Sequence, residues 1–302
     1  MHHDGQPQGV TRQRGFSLIE LMLAVSISTV IIAALYAVFN QTQRALRSNV
    51  NQVDVLESGR AAMDLLTREL ALVAATHRPF TTNLFIFRPP ANLSQAALNQ
   101  PVVQPLPQSA GARMDFSRTN TLWEVFFVAK ENEIYQGTGF RVLGAINGVG
   151  TLGRFSTNVP SARLSYTNLI RAVLEQPPAS YSRIADGVIH FRVQAFDSRG
   201  YPMNWYDVAP ANATNTYVNV RLDRERNLIA ESRASFVNDA LPAYLEVELG
   251  ILEPDVLDQY RSFPANSDFA RTFLASHVGQ VHLFRQRVPV RLGVIYPSLL
   301  RP

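Results

Sequence analysis

Hydrophobic and polar positions divide this chain sharply near its start. Residues 1–15, MHHDGQPQGVTRQRG, are polar, and the run that follows, FSLIELMLAVSISTVIIAALYAVF, has no charged residue from Leu21 to Phe39. Laid out as a helix at about 1.5 Å per residue, Phe16–Phe39 is roughly 36 Å long, enough to cross the core of a bilayer. Arg12 and Arg14 precede the span and are expected to hold the N-terminus in the cytoplasm, with everything after Asn40 on the outer side of the inner membrane. A secretory signal peptide fits less well. Its shorter apolar run would be followed by a small-residue cut site, whereas here the plausible cut lies before the apolar segment, so the anchor is expected to persist.

Past the span, Leu46, Val50, Val53, Leu56, Met63, Leu66, Leu70 and Val73 recur at spacings of three, four or seven through polar sequence. The pattern predicts that the helix continues to about Ala75, before Pro79, with its outer half packed on a globular domain. Packing on its own sheet is preferred to a coiled coil, because one anchored helix is followed by strand-rich sequence. Gly59 interrupts the stripe and marks either a close approach or a slight bend. The expected organisation is a leader over 1–15, a membrane helix over 16–40, its amphipathic extension over 41–76 and a β-rich head over 77–302.

The head opens on a stretch from Arg78 to Ala110 that contains Pro79, Pro89, Pro90, Pro101, Pro105 and Pro107, with one short apolar patch at Leu84–Phe87. It reads mainly as loop, either a surface excursion or a partner-binding surface. Strand patterns follow. Trp123, Val125, Phe127 and Ala129 alternate with Glu124, Phe126 and Val128, so both faces look buried, and Glu133–Leu143 is the next candidate. Ile189, Phe191, Val193 and Ala195 alternate with His190, Arg192 and Gln194; Leu245, Val247, Leu249 and Ile251 alternate with Glu246, Glu248 and Gly250. These read as one-sided antiparallel strands. Val281–Phe284 and Val288–Val290 close the sheet, and a short helical insertion is expected around Val256–Tyr260. The fold class is therefore α+β, a long N-terminal helix on a C-terminal antiparallel sheet.

Composition narrows the chemistry. The chain has 302 residues, 46% of them hydrophobic, enough for a substantial core. Its 28 basic residues against 24 acidic ones leave a net charge of +4, and all the basic residues but Lys130 are arginines, scattered along the chain. The densest run, Arg221, Arg224 and Arg226, is broken by Asp223 and Glu225 and reads as a solvated, self-neutralising loop, so no nucleic-acid partner is expected. The absence of cysteine excludes disulfides, thiolate zinc sites and cysteine nucleophiles.

Glu20 demands a partner, because a carboxylate at the start of a membrane span is unfavourable by up to about 2.5–3.5 kcal/mol, less towards a helix end. The run Gly15-Phe16-Ser17-Leu18-Ile19-Glu20-Leu21 resembles the processing site of the type IV pilin-like prepilins: glycine, then phenylalanine, with glutamate fifth in the mature chain. That resemblance implies that an inner-membrane prepilin peptidase cuts between Gly15 and Phe16 and methylates the new amine of Phe16. It also implies that Glu20 pairs with a free N-terminal amine in the filament, offsetting the desolvation of both charges. Many major pilins kink this helix at a proline. Here Ala37 stands near that point, which favours a pseudopilin or a minor subunit.

A second resemblance lies in the C-terminal half. ADGVIHFRVQAFDSRG, then Trp205, then LPAYLEVELGIL and finally FRQRVPVRL are similar in order to the J-type minor pseudopilin of type II secretion and its W-type minor pilin relatives. Asp197, Gly200, Trp205, Leu241, Pro242 and Val247 occupy the matching places. The chain is longer than a typical J-type subunit, with excursions in the proline-rich stretch and at Arg221–Ser235. The resemblance implies a pilin-like fold and a non-enzymatic subunit near the tip of a secretion pseudopilus. Its partners would be the prepilin peptidase, other major and minor pseudopilins or pilins, and inner-membrane lipid; its head would be periplasmic or, in the filament, at the cell surface. A minor type IV pilin for adhesion or DNA uptake, and a pilin-anchored enzyme or glycan-binding head, are the alternatives.

Constellations for catalysis are sparse. Glu246 and Glu248 share one face of a strand, expected to be solvated. His2 and His3 would leave with the leader, and His77, His190, His277 and His282 lack metal-ligand spacing, so neither metal nor cofactor is expected. GTGFRVLG at Gly137–Gly144 and GVGTLG at Gly148–Gly153 lack the context of a phosphate loop and read as hairpin turns.

Overall fold

A computed structural model describes residues 17–76, 81–87, 102, 119–160, 166–200, 202–203, 220–224, 232–265 and 267–290. The chain forms two compact units, residues 1–50 and 51–302. Helix α1, Leu18–Leu70, begins in the first and ends in the second. In the first unit the large apolar side chains from Leu18 to Phe39 are between 52% (Ile27) and 76% (Leu18) exposed. The helix is long and apolar enough to cross a membrane, and none of its most apolar window is buried among the described residues. Three of its hydroxyls are satisfied within the helix. Ser26 donates to the Met22 carbonyl (2.8 Å), Thr29 to Val25 (2.8 Å) and Thr42 to Val38 (2.9 Å), which removes the penalty of a bare polar group in hydrocarbon.

The second unit is built on a nine-stranded antiparallel sheet. Its strands are β1 Thr82–Phe87, β2 Glu124–Glu131, β3 Ile134–Ile146, β4 Val149–Pro160, β5 Ser182–Phe196, β6 Val220–Arg224, β7 Ser232–Val237, β8 Tyr244–Leu252 and β9 Val281–Pro289, in the order β6-β7-β1-β2-β3-β4-β5-β8-β9. The outer part of α1 packs on one face, where Val55, Met63, Leu66, Leu70 and Val73 join Val125, Phe127, Phe191, Val247 and Leu249 in the main core. Leu46, Val50 and Val53 stay exposed, so the buried stripe begins only at Val55. Gly59 is a close-approach position: a Cβ there would sit 2.2 Å from the ring of Phe284 on β9.

The opposite face carries two smaller clusters. Helix α2, Tyr166–Leu174, sets Leu169 and Val173 against Phe126, Val128 and Tyr135. Helices α3, Pro254–Arg261, and α4, Asp268–Ser276, cover Val149, Ile189 and Leu252 with Val256, Leu257, Tyr260, Ala270 and Leu274.

Several expectations need correcting. Helix α1 stops at Leu70, short of residue 76, because Val73 bridges to Ala129 and the Ala74 amide donates to Val128 at 2.9 Å, so the chain has already joined β2. The apolar patch inside the proline-rich stretch is β1, an inner strand between β7 and β2. The remaining prolines there, with His77 and Trp205, lie outside the described residues. Arg221, Asp223 and Arg224 are not in a loop: they belong to β6, paired with β7, so Arg221–Ser235 contains a hairpin rather than a bare excursion. The helical insertion after β8 contains two helices, not one.

The glycine-rich runs are mostly strand interior. Only Asn147-Gly148, with φ of 52° and 86°, makes a hairpin turn, as an Asn-Gly pair with two positive φ values does. Gly137 and Gly139 lie within β3 because α2 presses on them; added Cβ atoms would meet Leu169 at 2.8 Å and Val173 at 2.4 Å. Gly139→Val is therefore expected to lift α2 off the sheet and destabilise the fold by about 1–3 kcal/mol, measured by urea denaturation of the detergent-solubilised protein. An unchanged midpoint would show that Val173 is not held at that distance.

Candidate functional site

The first functional side chain stands at the head of α1. Leu18 is the first helical residue, so Ser17 is the N-cap and Glu20 the third position of the first turn. The Ser17 amide donates to Glu20 Oε2 at 3.0 Å, the half of a Ser-x-x-Glu capping box in which the glutamate reaches back to the N-cap amide. A carboxylate there also faces the positive end of the helix dipole. The spacing S-x-x-E was visible in the sequence and explains, without any second chain, why the carboxylate points towards the N-terminus. Ser17 directly follows Phe16, so Glu20 reaches the peptide group adjoining the residue whose amine a cut after Gly15 would free. Gly15, Phe16, Arg12 and Arg14 themselves lie outside the described residues.

The second group corrects the sequence expectation most strongly. Glu246 and Glu248 are not on a solvated face: they are 4% and 3% exposed. The register explains it. β8 lies between β5 and β9, with Gln194 and Arg287 on either side of Glu246, and Arg192 and Arg285 on either side of Glu248. Arg285 Nη2 donates to Glu246 Oε1 at 2.6 Å and its Nε stands 3.6 Å from Glu248 Oε1. Arg287 Nε donates to Glu246 Oε2 at 3.0 Å, a bond that raises the guanidinium's pKa further. Its guanidinium also lies 5.6 Å from the ring of Phe196 and 5.4 Å from that of Tyr244, which stack on each other. The carboxylates are thus covered by arginine stems from their neighbours while the charged heads stay partly wet.

His190, also buried, completes the row. Its Nδ1 accepts from the Thr121 amide at 3.1 Å, which leaves the ring proton on Nε2, 3.2 Å from Glu248 Oε2. Among the described residues no buried side-chain nitrogen or oxygen of this array lacks a hydrogen-bond partner, so the arrangement is a clamp across β5, β8 and β9.

Burial raises the pKa of Glu124, and the nearby Arg141 opposes the shift. Burial likewise raises Tyr181, whose hydroxyl donates to the Val173 carbonyl at 2.8 Å. Arg141 is spent on the carbonyls ending α2 and on the face of Tyr181, 4.2 Å away. Among the described residues no cluster of three or more histidine and acidic side chains could hold a metal ion.

Comparison with known proteins bears on the N-terminus. Residues 10–36 match the family model of the prokaryotic N-terminal methylation motif, which covers Gly15, Phe16 and Glu20 together with most of the apolar run. No curated protein and no solved structure matches the chain. The motif supports a type IV pilin-like protein processed as a prepilin, and suggests a structural subunit rather than an enzyme.

Proposed function

We propose that this chain is a minor pseudopilin of a type II secretion pseudopilus, cut by prepilin peptidase between Gly15 and Phe16, methylated on Phe16 and assembled at or near the filament tip. The observation that carries the reading is Glu20. It sits in the matched motif, at the head of a helix whose large apolar side chains stand exposed, with its carboxylate already turned towards the N-terminal end. In the membrane the helix would be held by lipid, with Arg12 and Arg14 on the cytoplasmic side and the sheet head in the periplasm. In the filament the same apolar surface would be covered by neighbouring helices. Glu20 would then exchange the Ser17 amide for a free N-terminal amine, an ion pair worth most where water is excluded. Support for the J-type assignment is the order of Asp197, Gly200, Leu241, Pro242 and Val247 in the C-terminal half, with the turn at Asp197–Gly200 closed by the Gly200 amide donating to the Asp197 carbonyl at 3.1 Å, at a glycine of φ 88°.

Glu20→Gln tests this reading with the least disturbance, since an amide oxygen still caps the helix but carries no charge. Membrane insertion is expected to stay at the native level while crosslinking from the anchor helix to other pseudopilins falls several-fold. Crosslinking at the native level would remove Glu20 from assembly.

A further inference from the structure

Beside the tip of the β3–β4 hairpin, walled by the 178–180 turn and by α3, lies a cavity of about 490 Å3. That is within the size range of sites that hold small ligands or peptide ends. Its wall is apolar, with Leu143, Ile146 and Leu257 facing the rings of Tyr181 and Tyr260. The deep polar groups are already used. Tyr260 donates to the Asn147 carbonyl at 2.7 Å, and burial raises its pKa so that it stays protonated; Asn147 Nδ2 donates to the Pro264 carbonyl at 2.9 Å.

The sheet is distorted around this cavity on two sides. The β3–β4 ladder shifts register between Leu143 and Ile146, and the β4–β5 ladder shifts between Gly150 and Leu152. Gly144, at the first break, has φ +58° and nothing within 4 Å of the position a Cβ would take, so the wall is open there. These register breaks cost ladder pairing, and such breaks cluster where a strand is re-aimed towards a site.

The charge at the mouth is one-sided. Arg183 and Arg261 are the only charged residues among those lining the cavity. Arg183 is committed to Asp186, whose two oxygens it reaches at 2.8 and 3.0 Å. Burial pushes Asp186 up, but hydrogen bonds from Thr151 and Arg183, with the charge of Arg261, hold its carboxyl below the usual range. Besides lending its charge to Asp186, Arg261 makes a 4.0 Å ion pair with the exposed Asp258 and, among the described residues, no closer one. A guanidinium with donors to spare thus stands at the rim of an apolar hole.

We propose that this cavity binds the C-terminal end of a partner polypeptide, with the last, apolar side chain inside and the terminal carboxylate on Arg261. The apolar wall and the guanidinium at the rim match those two parts of one residue. The interrupted ladders at Gly144 and Thr151 bring strand backbone to the cavity wall. This inference goes beyond the assembly role and does not depend on it.

The test uses the full chain in detergent and fluorescein-labelled hexapeptides ending in Leu, Ile, Val, Phe, Met or Trp, each as free acid and as amide. At least one free acid is expected to bind, with its amide about tenfold weaker, as loss of a charge-assisted contact implies. Arg261→Gln, at a half-exposed position, is expected to bring the acid down to the level of the amide without changing the melting temperature. Ile146→Ser is expected to weaken acid and amide alike. Equal binding of acid and amide, undiminished binding by Arg261→Gln, or no binding by any of the six would overturn the proposal. Displacement of the peptide by 4-phenylbutyrate at the peptide's own affinity would also overturn it, assigning the cavity to a small free acid.

Discussion

A chain carrying leucine in place of Gly15 is expected to keep its first fifteen residues, whereas the proposed processing would remove them from the native chain and add a methyl group to Phe16. Residues 1–15 are polar and carry two arginines, and the helix after them is apolar from its first turn but for Glu20. A peptidase working at that border has to accept backbone between a charged segment and a membrane helix. Glycine, with no Cβ, lets the chain lie extended and close to an enzyme surface; leucine blocks that approach. The effect expected is near-complete loss of the mature form, read as intact mass from the membrane fraction. The same variant leaves no free amine beside Glu20, so assembly is expected to fall with processing. Glu20→Gln, by contrast, should be cut normally and assemble poorly, which separates the two steps. A mature mass unchanged in the Gly15→Leu chain would sink the processing claim, and poor cutting of Glu20→Gln would show that the glutamate serves the peptidase as well as assembly.

The N-terminal features were legible because they are local. An uncharged run, a glycine before phenylalanine and a glutamate four residues later all fall within one stretch of chain, and a membrane helix needs no distant partner to satisfy its backbone. The longer strands were legible for a similar reason: one buried face imposes a period of two on β5 and β8. What was missed depended on contacts between distant residues. β1 is only a six-residue strand set in proline-rich sequence, and it becomes an inner strand because β7 and β2 arrive on either side. Gly137 and Gly139 look like turn residues until α2 is placed against them. Alternation along β8 suggests a solvated Glu246, but alternation does not by itself mean exposure. The partner of Glu246, Arg285, stands 39 residues further on, in a strand whose arginines alternate in step with the glutamates. That matching alternation of opposite charges in β8 and β9 was the available signal, and it required knowing that the two strands are neighbours.

Arg285→Met is expected to cost the head about 2–3 kcal/mol, although the residue is 45% exposed and would ordinarily be dismissed as surface. Methionine keeps most of the stem that covers the sheet, so the loss isolates the charge. Two carboxylates two residues apart on one strand are separated by roughly 6–7 Å, and at an effective dielectric of about 20 they repel by about 2–3 kcal/mol. In the native chain Arg285 bridges them. Without it Glu246 retains Arg287, and Glu248 retains His190 with Arg192 at 3.9 Å. Breaking a fully buried pair costs about 3–5 kcal/mol, and these remaining cations and the wet guanidinium place the loss below that range. Arg171, in a pair with Glu175 that is exposed on both sides, serves as the control, since its replacement by methionine should shift stability by no more than about 0.5 kcal/mol. A double variant adding Glu248→Gln is expected to recover part of what Arg285→Met loses, because the repulsion disappears while the Glu248 position can still accept from His190 Nε2. If urea denaturation finds Arg285→Met as mild as the Arg171 control, the buried carboxylates are held by their own strand neighbours and not by this arginine.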